Sequence, residues 1–208
     1  MNPFPSAHKS LGPEFLQQTS NTSRLIIRSV QSKDLLPLAE VLADSFHSRT
    51  GLACWFYPLL RMGIYEDLRS RFRSAAPDYV CLVAVEPAHP TVLADSRSAS
   101  EYVAGTVEMA LRTSAPWQNR QSQYLYLSNL AVRKECRRQG IAQQLLQSCE
   151  RIARSWGFPD LYLHVMENND QARGLYSKLE YRLQQVEPDW GALMLRQPRR
   201  CLLHKHLS

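Results

Sequence analysis

A strand–turn–helix–strand–helix succession over residues 124–181 constrains the fold of this chain more than any other part of its sequence. Two of its segments are rich in β-forming residues, and the two that alternate with them carry apolar residues at helical spacing. The four segments are residues 124–132, 139–156, 161–166 and 170–179. A basic turn joins the first strand to its helix, and Gly157 ends that helix. A unit of this kind predicts an α/β domain.

Further strands and helices are predicted on both sides of this unit. β-Rich runs lie at residues 25–27, 79–85, 102–111, 181–186 and 200–206, and helices are predicted at 35–42 and 55–72. Residues 1–23 lack periodicity and are predicted to form a flexible tail, whereas residues 87–100 are predicted to form a loop rich in Ser, Ala and Pro. We therefore expect one domain over residues 24–208.

The composition disfavours several classes of protein. With 208 residues and 44% hydrophobic content, the chain can enclose a sizeable core. It has no apolar run of about 20 residues and no signal-peptide core, so no membrane association is expected. The net charge of +6 suits an anionic ligand, but no motif for nucleic acid is evident. Five cysteines without a CxxC pair favour a reducing compartment. We expect a bacterial cytoplasm, with the plastid stroma as the alternative.

Three motifs follow one another within the unit. The turn Arg137-Arg138-Gln139-Gly140-Ile141-Ala142 fits the pattern R/Q-x-x-G-x-G/A, Asn169 follows the next strand, and Tyr176 lies on the helix after it. In this order and context the motifs resemble those of the GCN5-related N-acetyltransferases, the GNAT superfamily. The resemblance implies a GNAT fold, in which a mixed central sheet flanked by helices splays between two parallel strands. It also implies acetyl-CoA as the cosubstrate.

Segments outside the unit resemble one branch of that superfamily. Residues 55–68, and the end of the chain with Pro188, Trp190 and residues 200–203, look like segments of cyanobacterial and plastid members. Those members acetylate α-amino groups and lysine side chains of proteins, so the resemblance implies protein amines as acceptors.

The turn at residues 137–142 has a physical interpretation of its own. Backbone N–H groups at the start of a helix are unsatisfied and lie at its positive end, where they can bind the phosphates of coenzyme A. Gly140 removes a Cβ that would obstruct the phosphates, and Ala142 keeps the next contact small. Arg137 and Arg138, with Arg133 or Lys134 as further candidates, add positive charge. The alternative is a solvated basic turn.

The resemblance assigns roles to further residues. The backbone of Leu130, Ala131 and Val132 would bind the pantetheine arm and the thioester, with Val132 as the N–H donor to the oxyanion. Asn169 would hydrogen-bond the pantetheine, and Tyr176 would protonate the departing thiolate. A tyrosine that merely packs in the core is the alternative for Tyr176.

His164 and Tyr126 are candidates for the general base. Certain eukaryotic N-terminal acetyltransferases carry the same Tyr and His on their two central strands. Strand alternation puts Tyr162, His164 and Met166 on one face, and Tyr124 and Tyr126 share a face of the neighbouring strand. A histidine pKa near 6.5 suits proton transfer at neutral pH. A structural histidine is the alternative, and the residues do not decide between His164 and Tyr126.

The sequence therefore predicts an acetyl-CoA-dependent N-acetyltransferase in which a primary amine attacks directly in a ternary complex. Protein α-amino groups and lysines are the expected acceptors. Two alternatives are acetylation of a small amine (an arylalkylamine, a polyamine or an antibiotic) and a non-catalytic regulator that binds acyl-CoA. His204 and His206 have the spacing of a metal pair, but no third ligand is apparent, so no metal is expected.

Overall fold

The computed structural model describes residues 25–46, 57–74, 78–86, 101–113, 123–187 and 198–207. The predicted tail at residues 1–23 and loop at 87–100 lie outside these ranges. The strands are β1 (Ile26–Ser29), β2 (Tyr79–Glu86), β3 (Tyr102–Thr113), β4 (Gln123–Val132), β5 (Asp160–Met166), β6 (Arg182–Val186) and β7 (Arg200–His206). The helices are α1 (Leu35–Phe46), α2 (Tyr57–Ser74), α3 (Ile141–Ser155) and α4 (Asp170–Lys178). Each of these elements was predicted from the sequence, with ends that differ by a few residues.

The described strands form one sheet in the order β1-β2-β3-β4-β5-β7-β6. β1 is antiparallel to β2, β4 is parallel to β5, and β7 is antiparallel to both β5 and β6. Parallel strands need a crossover connection, and α3 supplies it between β4 and β5. The mixed α/β class predicted from the sequence is confirmed.

The parallel pairing of β4 and β5 is short. It runs from Leu125 opposite Leu161 to Leu127 opposite Leu163, although β4 continues to Val132 and β5 to Met166. β5 has a longer antiparallel register with β7, from Asp160 opposite His206 to Met166 opposite Arg200. The end of the short register is the splay that the family resemblance predicted.

The chain divides into two compact units, and the first contains residues 1–108 and 129–148. Its core joins α1, α2, β2 and β3. The buried side chains include Leu38 and Leu42 of α1, Leu68 of α2 and Val83 of β2. Burial of such side chains stabilises a fold by about 1.5–3 kcal/mol each.

The second unit contains residues 109–128 and 149–208. The predicted alternation of β5 is visible in its burial, since Leu161, Leu163 and Val165 are buried and the intervening side chains are more exposed. This unit also contains a largely buried ion pair, in which Lys205 Nζ of β7 lies 2.8 Å from Glu150 Oε1 of α3. None of the described helices is long and apolar enough to span a membrane.

Gly105 of β3 allows a close approach within the first unit. A Cβ at this position would lie 2.8 Å from the carbonyl oxygen of Ala131 and 3.2 Å from Val132 Cγ2. The first atom belongs to the backbone of β4 and cannot move without shifting that strand. Gly105 is therefore required where β3 contacts the end of β4.

We expect Gly105→Ala to destabilise the protein by about 1–3 kcal/mol, the usual cost of overpacking a core. Gly63→Ala is the matched control, because no atom lies within 4 Å of a Cβ built at this position in α2. Alanine there should stabilise the protein by about 0.5–1 kcal/mol, since glycine is a poor helix former. Urea unfolding measures both effects, and equal midpoints for Gly105→Ala and wild type would contradict the steric argument.

Candidate active site

At the end of β4, alternate backbone N–H groups point away from β3. The N–H of Arg133 donates to the carbonyl of Ala104, 2.8 Å away, so it points toward β3. Because N–H groups alternate along a strand, those of Leu130 and Val132 point to the opposite edge. Leu130 and Val132 are two of the three residues predicted to bind the cofactor arm. Their N–H groups lie on the edge of β4 opposite β3, past the last residue of β4 that pairs with β5. Ala131 faces β3 instead.

Asn129 shapes this segment of β4. Its φ of 52° lies in the left-handed region, which is unusual for a residue inside a strand. Its Nδ2 donates to Glu108 Oε1 of β3 at 2.8 Å. Glu108 is 1% exposed, and Arg71 of α2 donates to its other oxygen at 2.8 Å. A buried, charge-paired carboxylate thus holds the residue that precedes Leu130. The sequence analysis did not identify Glu108 or Asn129, because neither belongs to a recognised motif.

The turn before α3, predicted from the sequence to bind phosphates, has a left-handed glycine directly before a helix. Gly140 has a φ of 78°, and its carbonyl accepts the N–H of Gln144 at 3.0 Å, which begins the helix. The N–H groups of Ile141 and Ala142 therefore lie in the first turn of α3, where they have no partner within the helix. The side chain of Ile141 is buried, so only its backbone can face a ligand.

The basic side chains of this turn differ in what they contact. Arg138 is exposed and has a φ of 66°, whereas Arg137 is exposed and its Nε donates to the carbonyl of Val132 at 3.1 Å. Gln139 is also exposed. Arg133 was a further candidate for phosphate binding, but it donates to the carbonyl of Val103 and lies 3.7 Å from Glu40. Arg133 thus makes contacts within the fold.

These residues fit the phosphates of coenzyme A. The nearest atom to a Cβ built on Gly140 is Gln144 Nε2 at 4.0 Å, so no closer atom of the described residues fills the space beside this glycine. Helix N–H donors, two exposed arginines and a residue without a Cβ together provide what a pyrophosphate requires.

Within the second unit, Tyr126 and His164 are directly paired. The hydroxyl of Tyr126 lies 2.8 Å from His164 Nδ1, and Tyr126 is 7% exposed. The guanidinium carbon of Arg112, on β3, lies 3.6 Å from the centre of the Tyr126 ring. The two candidates for the base therefore belong to one hydrogen-bonded pair.

The other nitrogen of His164 faces a carboxylate. His164 Nε2 lies 2.7 Å from Glu187 Oε1, at ion-pair distance but without the alignment of a hydrogen bond. Burial lowers the pKa of His164, and the positive charges of Arg200 and Arg112 lower it further, whereas Glu187 opposes this shift. The net effect lowers the pKa of His164 from its usual value of about 6.5. The imidazole is therefore neutral, and able to accept a proton, at pH 7.

Tyr176 and Asn169 lie on α4 and at its beginning. Tyr176 is 7% exposed, and burial raises its pKa to about 12, so its hydroxyl stays protonated. Its ring contacts that of Tyr181 at 5.8 Å. Asn169 Oδ1 accepts the N–H of Ala172 at 3.1 Å and so caps α4. The cap occupies the oxygen of Asn169, which leaves Nδ2 as its donor for the predicted cofactor contact.

His204 and His206, which have the spacing of a metal pair, contact a carboxylate instead. Both lie within hydrogen-bond distance of the same oxygen of Asp160, at 2.7 and 3.0 Å. Across the residues that the structure describes, no group of three or more His, Cys, Asp or Glu side chains is arranged to hold a metal ion. The ring of His204 also stacks on that of Tyr162.

Comparison with known proteins gives the class of this chain. A model of the "Acetyltransferase (GNAT) family" matches residues 58–181, more than half of the sequence. The chain belongs to the GNAT acetyltransferase family, as its motifs predicted, and acetyl-CoA is the cosubstrate of that family.

Plant plastid proteins are among its relatives, and the chain spans about two thirds of the length of those proteins or less. The chloroplastic GCN5-related N-acetyltransferase 10 of Arabidopsis thaliana is 31% identical over 173 residues, which are 81% of this chain and 66% of that protein. The chloroplastic GCN5-related N-acetyltransferase 7 of the same plant is 41% identical over 78 residues, which are 38% of this chain and 28% of that protein.

Solved structures share the fold at low sequence identity. Arabidopsis thaliana NAA60 in complex with acetyl-CoA has a TM-score of 0.60 and 18% identity, with 88% of this chain and 98% of that chain covered. The PaiA N-acetyltransferase of Thermoplasma acidophilum in complex with coenzyme A has a TM-score of 0.59 and 21% identity, with 88% and 98% covered. These similarities confirm the GNAT fold.

We expect Gly140→Val to raise the KM for acetyl-CoA about ten- to hundredfold, because each lost charge-assisted phosphate hydrogen bond costs about 1.5–3 kcal/mol. Gly157→Val is the matched control. Gly157 has a φ of 80° and no atom within 4 Å of a built Cβ, so it shares the backbone strain but lies after α3. Both variants should lose similar stability in urea, and only Gly140→Val should bind acetyl-CoA more weakly by calorimetry. Equal affinities would remove the turn from the cofactor site.

Proposed function

We propose that this protein transfers the acetyl group of acetyl-CoA to a primary amine of a protein, either an N-terminal α-amino group or a lysine side chain. The observation that carries the proposal is the Tyr126–His164 pair, whose hydroxyl and Nδ1 are 2.8 Å apart on two central strands of a GNAT fold. An acetyltransferase needs a group that removes a proton from the ammonium form of its acceptor, and a neutral imidazole is suited to that task.

His164 and Tyr126 act together in this proposal. His164 is partly buried, with a side chain that is 16% exposed, and its lowered pKa keeps the imidazole neutral at pH 7. Because Tyr126 occupies Nδ1, an acceptor amine reaches the imidazole through the tyrosine hydroxyl. The alternatives left open by the sequence, His164 or Tyr126, are then two members of one proton-transfer pair.

The remaining steps use groups already described. Acetyl-CoA supplies the acetyl group as an activated thioester. The N–H of Val132, which points away from β3, is the donor we assign to the acyl oxygen. Tyr176 is the proton donor we assign to the sulfur, since its raised pKa keeps its hydroxyl protonated. Leu130, the turn at residues 137–142 and Asn169 bind the cofactor in this proposal.

Protein amines are supported as acceptors by the relatives rather than by a recognised substrate pocket. The plastid-type resemblance of the sequence agrees with its similarity to the chloroplastic GCN5-related N-acetyltransferases. One structural neighbour, the ribosomal-protein-S18-alanine N-acetyltransferase of Escherichia coli, acts by its name on an alanine of a ribosomal protein. We propose a bacterial cytoplasm as the compartment, and the chloroplastic relatives favour the plastid stroma as the alternative.

The acceptor class is tested with a panel of peptides that offer either a free α-amino group or a lysine, together with small amines. Mass spectrometry locates the acetyl group. Turnover of peptides supports the proposal, whereas turnover of small amines alone identifies a small-molecule acetyltransferase. Binding of acetyl-CoA without turnover of any amine identifies a non-catalytic regulator.

We expect His164→Ala to lower kcat/KM for both kinds of acceptor, with the larger loss on lysine. An α-amino group with a pKa of about 7.7–8.0 is roughly a tenth neutral at pH 7, whereas a lysine near 10.4 is almost wholly protonated. The wild-type profile of kcat/KM against pH should rise through the lowered pKa of His164, and this rise should disappear in the variant. Full activity and an unchanged profile would exclude His164 as the base.

We expect Tyr176→Phe to lower kcat about ten- to a thousandfold and to leave acetyl-CoA affinity nearly unchanged. Tyr181→Phe is the matched control, because the buried Tyr181 hydroxyl has no hydrogen-bond partner among the described residues and its ring contacts that of Tyr176. Removing that hydroxyl should not lower activity. A Tyr176→Phe enzyme with wild-type kcat at saturating substrates would make Tyr176 a packing residue.

A further inference from the structure

Glu187 is fixed beside His164 by its backbone as well as by its side chain. It follows β6, and its N–H donates to the carbonyl of Arg200 at 2.9 Å, which extends the β6–β7 pairing by one residue. Its Oε1 lies 2.7 Å from His164 Nε2, and its Oε2 lies 3.5 Å from Nη1 of Arg200. The carboxylate therefore lies between the imidazole and a guanidinium, although it is 39% exposed.

The two ring nitrogens of His164 have different partners. Nε2 faces a carboxylate, which can only accept a proton when ionised, whereas Nδ1 lies 2.8 Å from a hydroxyl that can donate. The neutral imidazole has one N–H. The negative charge of the carboxylate 2.7 Å away favours its position on Nε2, although the two groups are not aligned as a hydrogen bond. Nδ1 is then left with a lone pair directed at Tyr126.

Among the residues that the structure describes, the groups with the largest effects on the pKa of His164 differ in sign. Arg112 of β3 and Arg200 of β7 disfavour the imidazolium, as does burial, and Tyr126 of β4 contributes a neutral hydroxyl. Glu187 is the one anionic group among the causes that act on this pKa. When the imidazole is protonated, the negative charge of Glu187 therefore stabilises the imidazolium.

We propose that Glu187 is a positioning residue for His164, which holds the Nε2–H tautomer and supports the imidazolium formed when the acceptor amine loses its proton. The inference rests on the proposed function. In the step concerned, the oxygen of Tyr126 receives the proton of the ammonium while the Tyr126 hydroxyl proton passes to His164 Nδ1. The tyrosine is unchanged, the imidazole becomes an imidazolium, the amine becomes neutral, and no electrons are exchanged with an oxidant or reductant.

Three variants separate this role from a structural one. Glu187→Gln keeps the shape and removes the charge, and Glu187→Asp keeps the charge on a shorter side chain. Glu180→Gln is the control for net charge, because Glu180 precedes the other end of β6 and is exposed. Each variant is measured by NMR titration of the His164 ring in the enzyme without substrates, and by kcat/KM against pH with the best acceptor from the peptide panel.

We expect Glu187→Gln to move the His164 titration to lower pH by about 0.5–1 unit, since an opposite charge favours the charged imidazole and solvent screens this exposed carboxylate. The acidic limb of kcat/KM should move in the same direction, and kcat should fall about tenfold or more. The nitrogen-15 shifts of His164 should report Nε2–H in the wild type and a mixture of tautomers in Glu187→Gln. Glu187→Asp should restore part of each effect, and Glu180→Gln should behave as wild type.

An unchanged His164 titration in Glu187→Gln overturns the proposal, as does a fall in activity with no movement of the acidic limb, which is the behaviour of a merely structural contact. A shifted titration with wild-type kinetics overturns it as well, because the contact then has no part in turnover. Failure of the proposed function appears separately, as absence of turnover in the wild type, and the NMR titration does not depend on that result.

Discussion

The candidate site depends on the backbone of β4. One edge of this strand must pair with β3, while the N–H groups on its other edge remain available to a ligand. Arg133 N–H and the carbonyl of Ala131 face β3, so the N–H groups of Leu130 and Val132 face the opposite edge. Two residues make this arrangement possible. Gly105 lets β3 approach the carbonyl of Ala131, and Asn129 takes a left-handed conformation that Glu108 holds through a hydrogen bond. The buried charge of Glu108 is tolerated because Arg71 neutralises it.

His164 shows how opposing effects of similar kind set the properties of a candidate base. Burial and two arginines favour the neutral imidazole, and Glu187 favours the charged one. Because the pKa of His164 is lowered overall, the effect of burial and the two arginines exceeds that of Glu187. Without Glu187 the imidazole would be a weaker base, and without burial it would be partly protonated at neutral pH. A group that must accept a proton from an ammonium and later release it gains from a balance of this kind.

The sequence predicted the elements well because each has either a clear periodicity or a run of β-forming residues. Alternation in β5 separates Leu161 and Leu163 from Tyr162 and His164, and the burial of these side chains follows it. Side-chain partners were harder to predict, because they depend on register between distant strands. Glu187 reaches His164 only after β6 and β7 have paired, and that pairing contains an irregularity between Leu183 and Gln185. No periodicity in the sequence indicates such a shift.

The backbone contacts of the candidate site can therefore be predicted from a sequence more readily than its side-chain contacts. In the proposed site, residues 137–142 would bind phosphates through N–H groups, so their requirement is conformational: a left-handed glycine and a helix that begins directly after it. A conformational requirement of this kind is visible in the sequence as a short motif. The pair of Tyr126 and His164 requires two side chains to meet across neighbouring strands, and Arg112 and Glu187 must approach from two further segments of the chain. Substitutions at these positions can alter the proposed proton-transfer pair without changing the conformation of the turn, so one fold can carry different side-chain chemistry beside the same backbone contacts.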